Sequence, residues 1–340
     1  MELKNILTQT NLLIFFLNIF GIFLLRLFLI KKKLLIDQTS KNQSTSKEKN
    51  IVLIGGLILI INLIYFEIYY LDKLFSNNFK YFILIFFLGL FSDLYSSFKA
   101  KYKFLILIIF SFIFLMFNNN FVINKISIFF FNNFLFNFFF IKVLFTSFCL
   151  TLYISGNNMV DGIDGNSIGH NILIFIFLLF LMNQQNTVHG LEYFFNVYIL
   201  IILFFLFILN ISKILFLGDN GSYLLGSITG LSTIYIIQEL NLNPFLASIF
   251  LFYPCFEVLF AFISKKKIFK ADRNHLHIKL FDKFNKLNRF LPLAIILSVN
   301  SFFMFISILN YANDDYLKII QALYFISLSI LYYGTIGPKN

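Results

Sequence analysis

Residues 134–165 read FLFNFFFIKVLFTSFCLTLYISGNNMVDGIDG. The first part, Phe134 to Ile154, reaches the roughly 20 apolar residues that a helix needs to cross a bilayer, and one cation, Lys142, interrupts it. It then opens into a polar segment, Gly156 to Gly165, that carries two Asp-Gly pairs. Similar apolar runs lie on both sides: Leu12 to Ile30, Ile51 to Leu71, Phe79 to Phe91, Phe104 to Phe117, Ile168 to Met182, Phe194 to Ile211, Tyr223 to Ile237, Phe245 to Ile263, Phe290 to Leu309 and Tyr316 to Tyr333. Of the 340 residues 59% are hydrophobic and 13% charged, with a mean hydropathy of +0.84. A soluble domain carries about 25% charged residues, so both a water-soluble globule and a disordered chain are excluded. The expected class is all-α, a polytopic membrane bundle of about eleven transmembrane helices with its active-site loops in the cytoplasm. Residues 1–340 are read as a single integral membrane domain, since no loop carries an apolar core of its own.

Loop charge sets the orientation. Of the 27 Lys and Arg residues, 21 fall in one set of alternate loops, including Lys31 to Lys33, Lys99 to Lys103 and the bases between Lys265 and Arg289. That face is expected to be cytoplasmic. The first span is followed by no small-residue cleavage site and reads as a retained helix. Cys149 and Cys255 both sit in apolar runs and cannot build a disulfide framework or a thiolate metal site.

The acids are more informative, because a carboxylate near a bilayer is costly and is retained for function. Asp37, Asp93, Asp161, Asp164, Asp219, Asp272 and Asp282 all fall on the basic face, whereas a transporter would gather ionisable groups at mid-membrane. Carboxylates among bases at one surface suit a phosphorylated, metal-bearing substrate, since Mg²⁺ takes one or two carboxylates plus phosphate oxygens. In GNNMVDGIDG, Asp161 and Asp164 share a face if the turn is helical, and each precedes a glycine; a helix end with polar punctuation is the plain alternative. In FLGDNGSYLLG, Phe216 to Gly226, Asp219 lies in a glycine-flanked turn and Ser222 is placed to cap the next helix; a turn followed by an N-cap explains it equally when taken alone. In ADRNHLHIKL, Ala271 to Leu280, Arg273 with His275 and His277 forms a clamp suited to a diphosphate, against the alternative of an exposed basic loop. A zinc site fails there on ligand count. LGLFSDL, Leu88 to Leu94, ends the third span on Asp93 with Lys99, Lys101 and Lys103 beyond it, which by itself is a helix end with a basic flank.

In this order and on one face, NMVDGIDG, FLGDNGS and ADRNHLH resemble the polyprenyl-phosphate N-acetylhexosamine-1-phosphate transferases, glycosyl transferase family 4, which initiate O-antigen, lipopolysaccharide, enterobacterial common antigen and teichoic acid synthesis. The resemblance implies that Asp219 is the Mg²⁺ ligand, with Mn²⁺ as the alternative ion, and that Phe216 is a platform for uracil. It further implies that Asn158, Asp161 and Asp164 line the nucleotide-diphosphate site, that Arg273, His275 and His277 hold phosphate or sugar, and that Asp93 lies near the polyprenyl phosphate. Gly55 and Gly56 match the family's Gly-Gly pair. Ser92 stands where the family has an Asp, Ser155 replaces a common Asn, Ile278 replaces a His, and Glu257 stands in the place of an Asp.

The expectation is a multi-pass enzyme of the bacterial inner membrane with a cytoplasmic active site. It would move an N-acetylhexosamine 1-phosphate from a UDP-sugar to undecaprenyl phosphate and release UMP. Its partners would be UDP-N-acetylhexosamine, undecaprenyl phosphate and membrane lipid, with no nucleic acid and with a homodimer among the open assembly states. Two alternatives stand beside it: an inactive or regulatory paralogue that binds the lipid phosphate, motivated by Ser92, and a membrane transporter.

Overall fold

A computed structural model describes residues 21, 24–36, 51–70, 76–95, 97–126, 137–185, 190–264 and 275–335. In chain order these residues form β1 (Val52–Leu53), α1 (Gly55–Tyr70), α2 (Asn77–Leu94), α3 (Ala100–Phe117), a 3-10 turn (Asn119–Phe121), α4 (Phe139–Val160), α5 (Asn166–Gln184) and α6 (Leu191–Ile211). There follow β2 (Leu215–Phe216), α7 (Gly218–Glu239), α8 (Pro244–Phe250), α9 (Phe252–Ser264), α10 (Leu276–Phe284), α11 (Leu291–Leu309) and α12 (Asp314–Gly334). A further helical stretch covers residues 24–32.

Helices dominate because an apolar chain in lipid must satisfy each backbone N–H and C=O within its own segment. Polar residues mark where they begin. Ser76 accepts the Phe79 N–H ahead of α2, Asn243 accepts the Phe245 N–H ahead of Pro244 in α8, and Asn313 accepts from Asp315 and Tyr316 to start α12.

Six helices, α3, α4, α5, α6, α11 and α12, are long and apolar enough to cross a membrane, and α8 with α9, bent by 73° at Leu251, makes a seventh if the pair is one span. The all-helical membrane bundle is therefore as expected, but length and composition do not confirm eleven spans. The first expected span falls largely outside the described residues. The second is α1, with 16 residues, and the third is α2, which holds Asn77, Asn78, Lys80 and Asp93 within its 18. The eighth is α7, whose Gly, Ser and Thr residues are almost all buried. Its neighbours explain that composition: α7 packs against α1, α2, α4, α5 and α8, so it meets protein where a peripheral helix meets lipid. By contrast only 22% of the α3 span and 28% of the α12 span are buried, which puts those two at the edge.

β1 and β2 pair in parallel, with Val52 opposite Leu215 and Leu53 opposite Phe216. Each strand leads directly into a helix, so α1 and α7 start side by side at one end of the bundle. The approach is close. A methyl group on Gly56 of α1 or on Gly89 of α2 would run into Asn220 in the first turn of α7. That first turn is where the polar chemistry collects.

Candidate active site

Gly218 opens α7 with φ +72°, a conformation that L side chains rarely adopt, and a Cβ there would stand 2.9 Å from Asp93 Oδ2. The helix thus starts tightly against the end of α2. Asp93 Oδ1 accepts the Asp219 N–H at 2.8 Å and Oδ2 accepts the Asn220 N–H at 3.0 Å; the Asn220 amide also donates to Oδ2. Asp93 therefore caps α7 from a neighbouring helix and supplies the acceptors that a helix N-terminus lacks. Burial, and next the negative charge of Asp219, push its carboxyl up, while the three donors pull the other way.

This corrects the expectation for Ser222. It is the fifth residue of α7 and not its cap; its hydroxyl lies 3.4 Å from the Asp219 carbonyl and accepts from Asn158 at 2.8 Å.

With its backbone held by Asp93, the Asp219 side chain points into a polar cluster. Oδ2 accepts from the Ser92 hydroxyl and from Lys103 Nζ at 2.7 Å, and Oδ1 accepts from Asn158 Nδ2 at 2.7 Å. Asp219 keeps 25% of its side-chain surface exposed and Lys103 18%, so the cluster is open to a ligand. Ser92, which stands in place of an acid, donates a hydrogen bond where a carboxylate would repel.

Asn157 and Asn158, adjacent in sequence, have different jobs. Asn157 is fully buried: it donates to the Ser222 carbonyl at 2.7 Å and accepts from Ser167 at 3.0 Å and Asn171 at 2.7 Å, tying α4 to α5 and α7. Asn158 faces Asp219.

Asp161 ends α4, and Asp164 lies in the turn before α5. The turn is not helical: Gly165 has φ +81° and its N–H is held by Asn210 Oδ1 at 2.6 Å, so the shared helical face expected for the two acids does not form. Packed against this turn is His277, whose Nε2 a Cβ on Gly162 would approach to 2.5 Å. His277 and His275 both point Nδ1 at Glu257 of α9, at 2.9 and 3.1 Å. Two clusters result, one around Asp219 and one around Glu257, and the last turn of α4 serves both. Phe216 is half-buried in β2, three residues before Asp219. Arg273, with Asp37 and Asp272, lies outside the described residues.

Lys103 and Asn210 were not singled out from sequence as site residues. A signal was present: each is a polar group at the end of a long apolar run, Lys103 directly before Phe104 and Asn210 after Ile208 and Leu209.

A divalent cation fits the carboxylate of Asp219, a hard oxygen donor that already attracts an ammonium. Among the described residues no three His, Cys, Asp or Glu side chains gather to enclose a metal. An ion at Asp219 would therefore have to take ligands from a phosphorylated substrate.

No curated protein matches the chain. Residues 79–237 match the family model of glycosyl transferase family 4. The matched segment contains Ser92, Asp93, Lys103, Asn158, Asp161, Asp164 and Asp219, the residues that build the Asp219 cluster and the adjoining turn, and over that segment the chain is similar to glycosyl transferase family 4.

Proposed function

We propose that the protein transfers an N-acetylhexosamine 1-phosphate from a UDP-sugar to undecaprenyl phosphate at the cytoplasmic face of a bacterial inner membrane, releasing UMP. One observation carries the reading. Asp219 is held by its backbone on Asp93 and by its side chain between Ser92, Lys103 and Asn158, in a segment similar to a family of transferases. So fixed a carboxylate, partly open beside an ammonium, is built to receive a phosphate-bound cation.

In the reaction the acceptor's phosphate oxygen bonds to the sugar-bearing β-phosphorus as the bond from that phosphorus to the bridging oxygen breaks, and UMP leaves with the electron pair. A phosphate monoester is already largely dianionic at neutral pH, its second pKa being about 6, so no protein base is required. Ser92 in place of an acid is then compatible with turnover. A Mg²⁺ held by Asp219 supplies charge neutralisation at the diphosphate. Lys103 adds fixed positive charge for the phosphates, Asn158 orients Asp219, Asp161 and Asp164 line the nucleotide side, and Phe216 offers a ring to uracil. Arg273 and His275 complete the donor site, with His277 packed behind the turn that carries Asp161 and Asp164.

The test is UMP release by the purified protein in nanodiscs across a panel of UDP-sugars with undecaprenyl phosphate. Asp219→Asn should abolish release while leaving the melting temperature in place, because Asp219 does not cap its helix. Full activity of that variant, or of the wild type in excess chelator, would refute the assignment. A wild type inactive on every donor but rescued by Ser92→Asp would instead establish the inactive paralogue.

A further inference from the structure

Glu257 is a buried carboxylate in α9, 3% exposed, and four N–H donors converge on it. Oε2 takes His275 Nδ1 at 3.1 Å and the Leu276 N–H at 3.3 Å; Oε1 takes His277 Nδ1 at 2.9 Å and the His277 N–H at 3.4 Å. It thus caps α10 from another helix, as Asp93 caps α7, and grips both imidazoles as well.

An ionised carboxylate only accepts, so each ring must carry its proton on Nδ1. Nε2 of a ring that is neutral is then a bare acceptor. Among the described residues the buried Nε2 of His277 has no hydrogen-bond partner, and a proton there would be an orphaned donor, whereas a lone pair against the Gly162 Cα–H is tolerated. Burial holds the His277 imidazole below its usual range and keeps it neutral.

The two rings stack with centroids 5.6 Å apart and planes within 19°, but their surroundings differ. His277 is fully buried on the Gly162 turn, and His275 is 12% exposed. A bare acceptor repels phosphate oxygens and attracts O–H or N–H groups. We propose that Glu257 is a positioning residue that locks both histidines in the Nδ1–H form, so that His277 buttresses the turn carrying Asp161 and Asp164 while His275 Nε2 accepts from a hydroxyl or amide N–H of the donor sugar. The sugar contact rests on the transferase reading; the locked tautomers do not.

The experiment is nitrogen-15 NMR of the histidine rings of the full chain in nanodiscs, paired with steady-state kinetics of UMP release. Expected are bare Nε2 and protonated Nδ1 on both rings in the wild type. Glu257→Gln, whose amide offers a single acceptor, should switch at least one ring to the opposite tautomer and raise KM for the UDP-sugar about tenfold or more, the loss of one good hydrogen bond, with KM for undecaprenyl phosphate unchanged. Glu257→Asp, which keeps the charge, should restore part of that loss. Protonated Nε2 on His277 in the wild type, or tautomers indifferent to Glu257→Gln, would overturn the proposal. The expected tautomers in a protein that transfers nothing would sustain the positioning role and defeat the transferase reading.

Discussion

Asp93→Asn is the sharpest test of how the site is held. The carboxylate accepts from the Asp219 N–H, the Asn220 N–H and the Asn220 side chain, and it sits at the positive end of α7. An amide keeps one oxygen and turns an NH₂ toward at least one of those donors. An orphaned buried donor costs about 1–3 kcal/mol, and removing the anion from a partly buried helix N-terminus costs about 1 more. The sum, about 2–4 kcal/mol, falls on the single turn that carries Asp219. Since displacing a reacting group by about 1 Å lowers a rate about a hundredfold, transfer should fall by at least that factor. The assay is the initial rate of UMP release in nanodiscs, read beside amide hydrogen exchange over residues 218–222, where protection should drop. Release within about twofold of wild type, with exchange unchanged, would show that Asp93 does not hold this turn.

Lys103→Met removes the cation that pairs with Asp219 among the described residues, so KM for undecaprenyl phosphate is expected to rise and the remaining activity to lose much of its salt dependence; an unchanged KM would count against Lys103 as phosphate-facing charge. Ser92→Asp sets a second carboxylate beside Asp219, so half-maximal transfer should need less Mg²⁺, with the maximal rate within about tenfold of wild type, roughly 1.4 kcal/mol in barrier. A higher metal requirement would contradict Asp219 as the ion's ligand. Reporter fusions after Lys101, Gly165 and Lys279 should report cytoplasm, and those near Asn78, Gln185 and Asn313 the other side. A signal from the far side at Gly165 would remove the site from its nucleotide.

The apolar runs made the helical class legible, because a span in lipid has few other ways to satisfy its backbone. The count was harder, since α7 and a lipid-facing helix differ in what surrounds them, and a stretch such as Gly226 to Gly230 looks like a weak span until its neighbours are known. Asp219 was legible from its glycine-flanked turn. Its partners were less so: Ser92 and Lys103 lie 127 and 116 residues away and reach it from two other helices. The two adjacent Asn residues looked equivalent in sequence, although helical geometry sends Asn157 into the bundle and Asn158 toward the carboxylate. Glu257 read as a variant of an acid, and only the convergence of four donors reveals what it holds.

The charge around Asp219 gives the proposed reaction a use for both a metal and an excess of bases. Lys103 offsets the Asp219 carboxylate, Asp93 at the start of α7 adds a second acid, and Ser92 and Asn158 add dipoles and no charge. In the proposed reaction a nucleotide diphosphate and a lipid phosphate meet there, and the phosphate monoester alone brings about 1.5 to 2 negative charges. Two unit charges of like sign 4 Å apart repel by about 4 kcal/mol at an effective dielectric near 20, so the reactants would be kept apart by more than thermal energy. A divalent ion on Asp219 offsets the diphosphate locally, but not the field that an approaching lipid phosphate meets. On the topology expected from loop charge, 21 of the 27 bases share this face and would supply that longer-range field. A further acid at position 92 would add to the local charge that the ion must balance, whereas a hydroxyl leaves the carboxylate of Asp219 ordered and adds no charge. Serine there is consistent with a working transferase that relies on its substrates, its ion and Lys103 for charge balance.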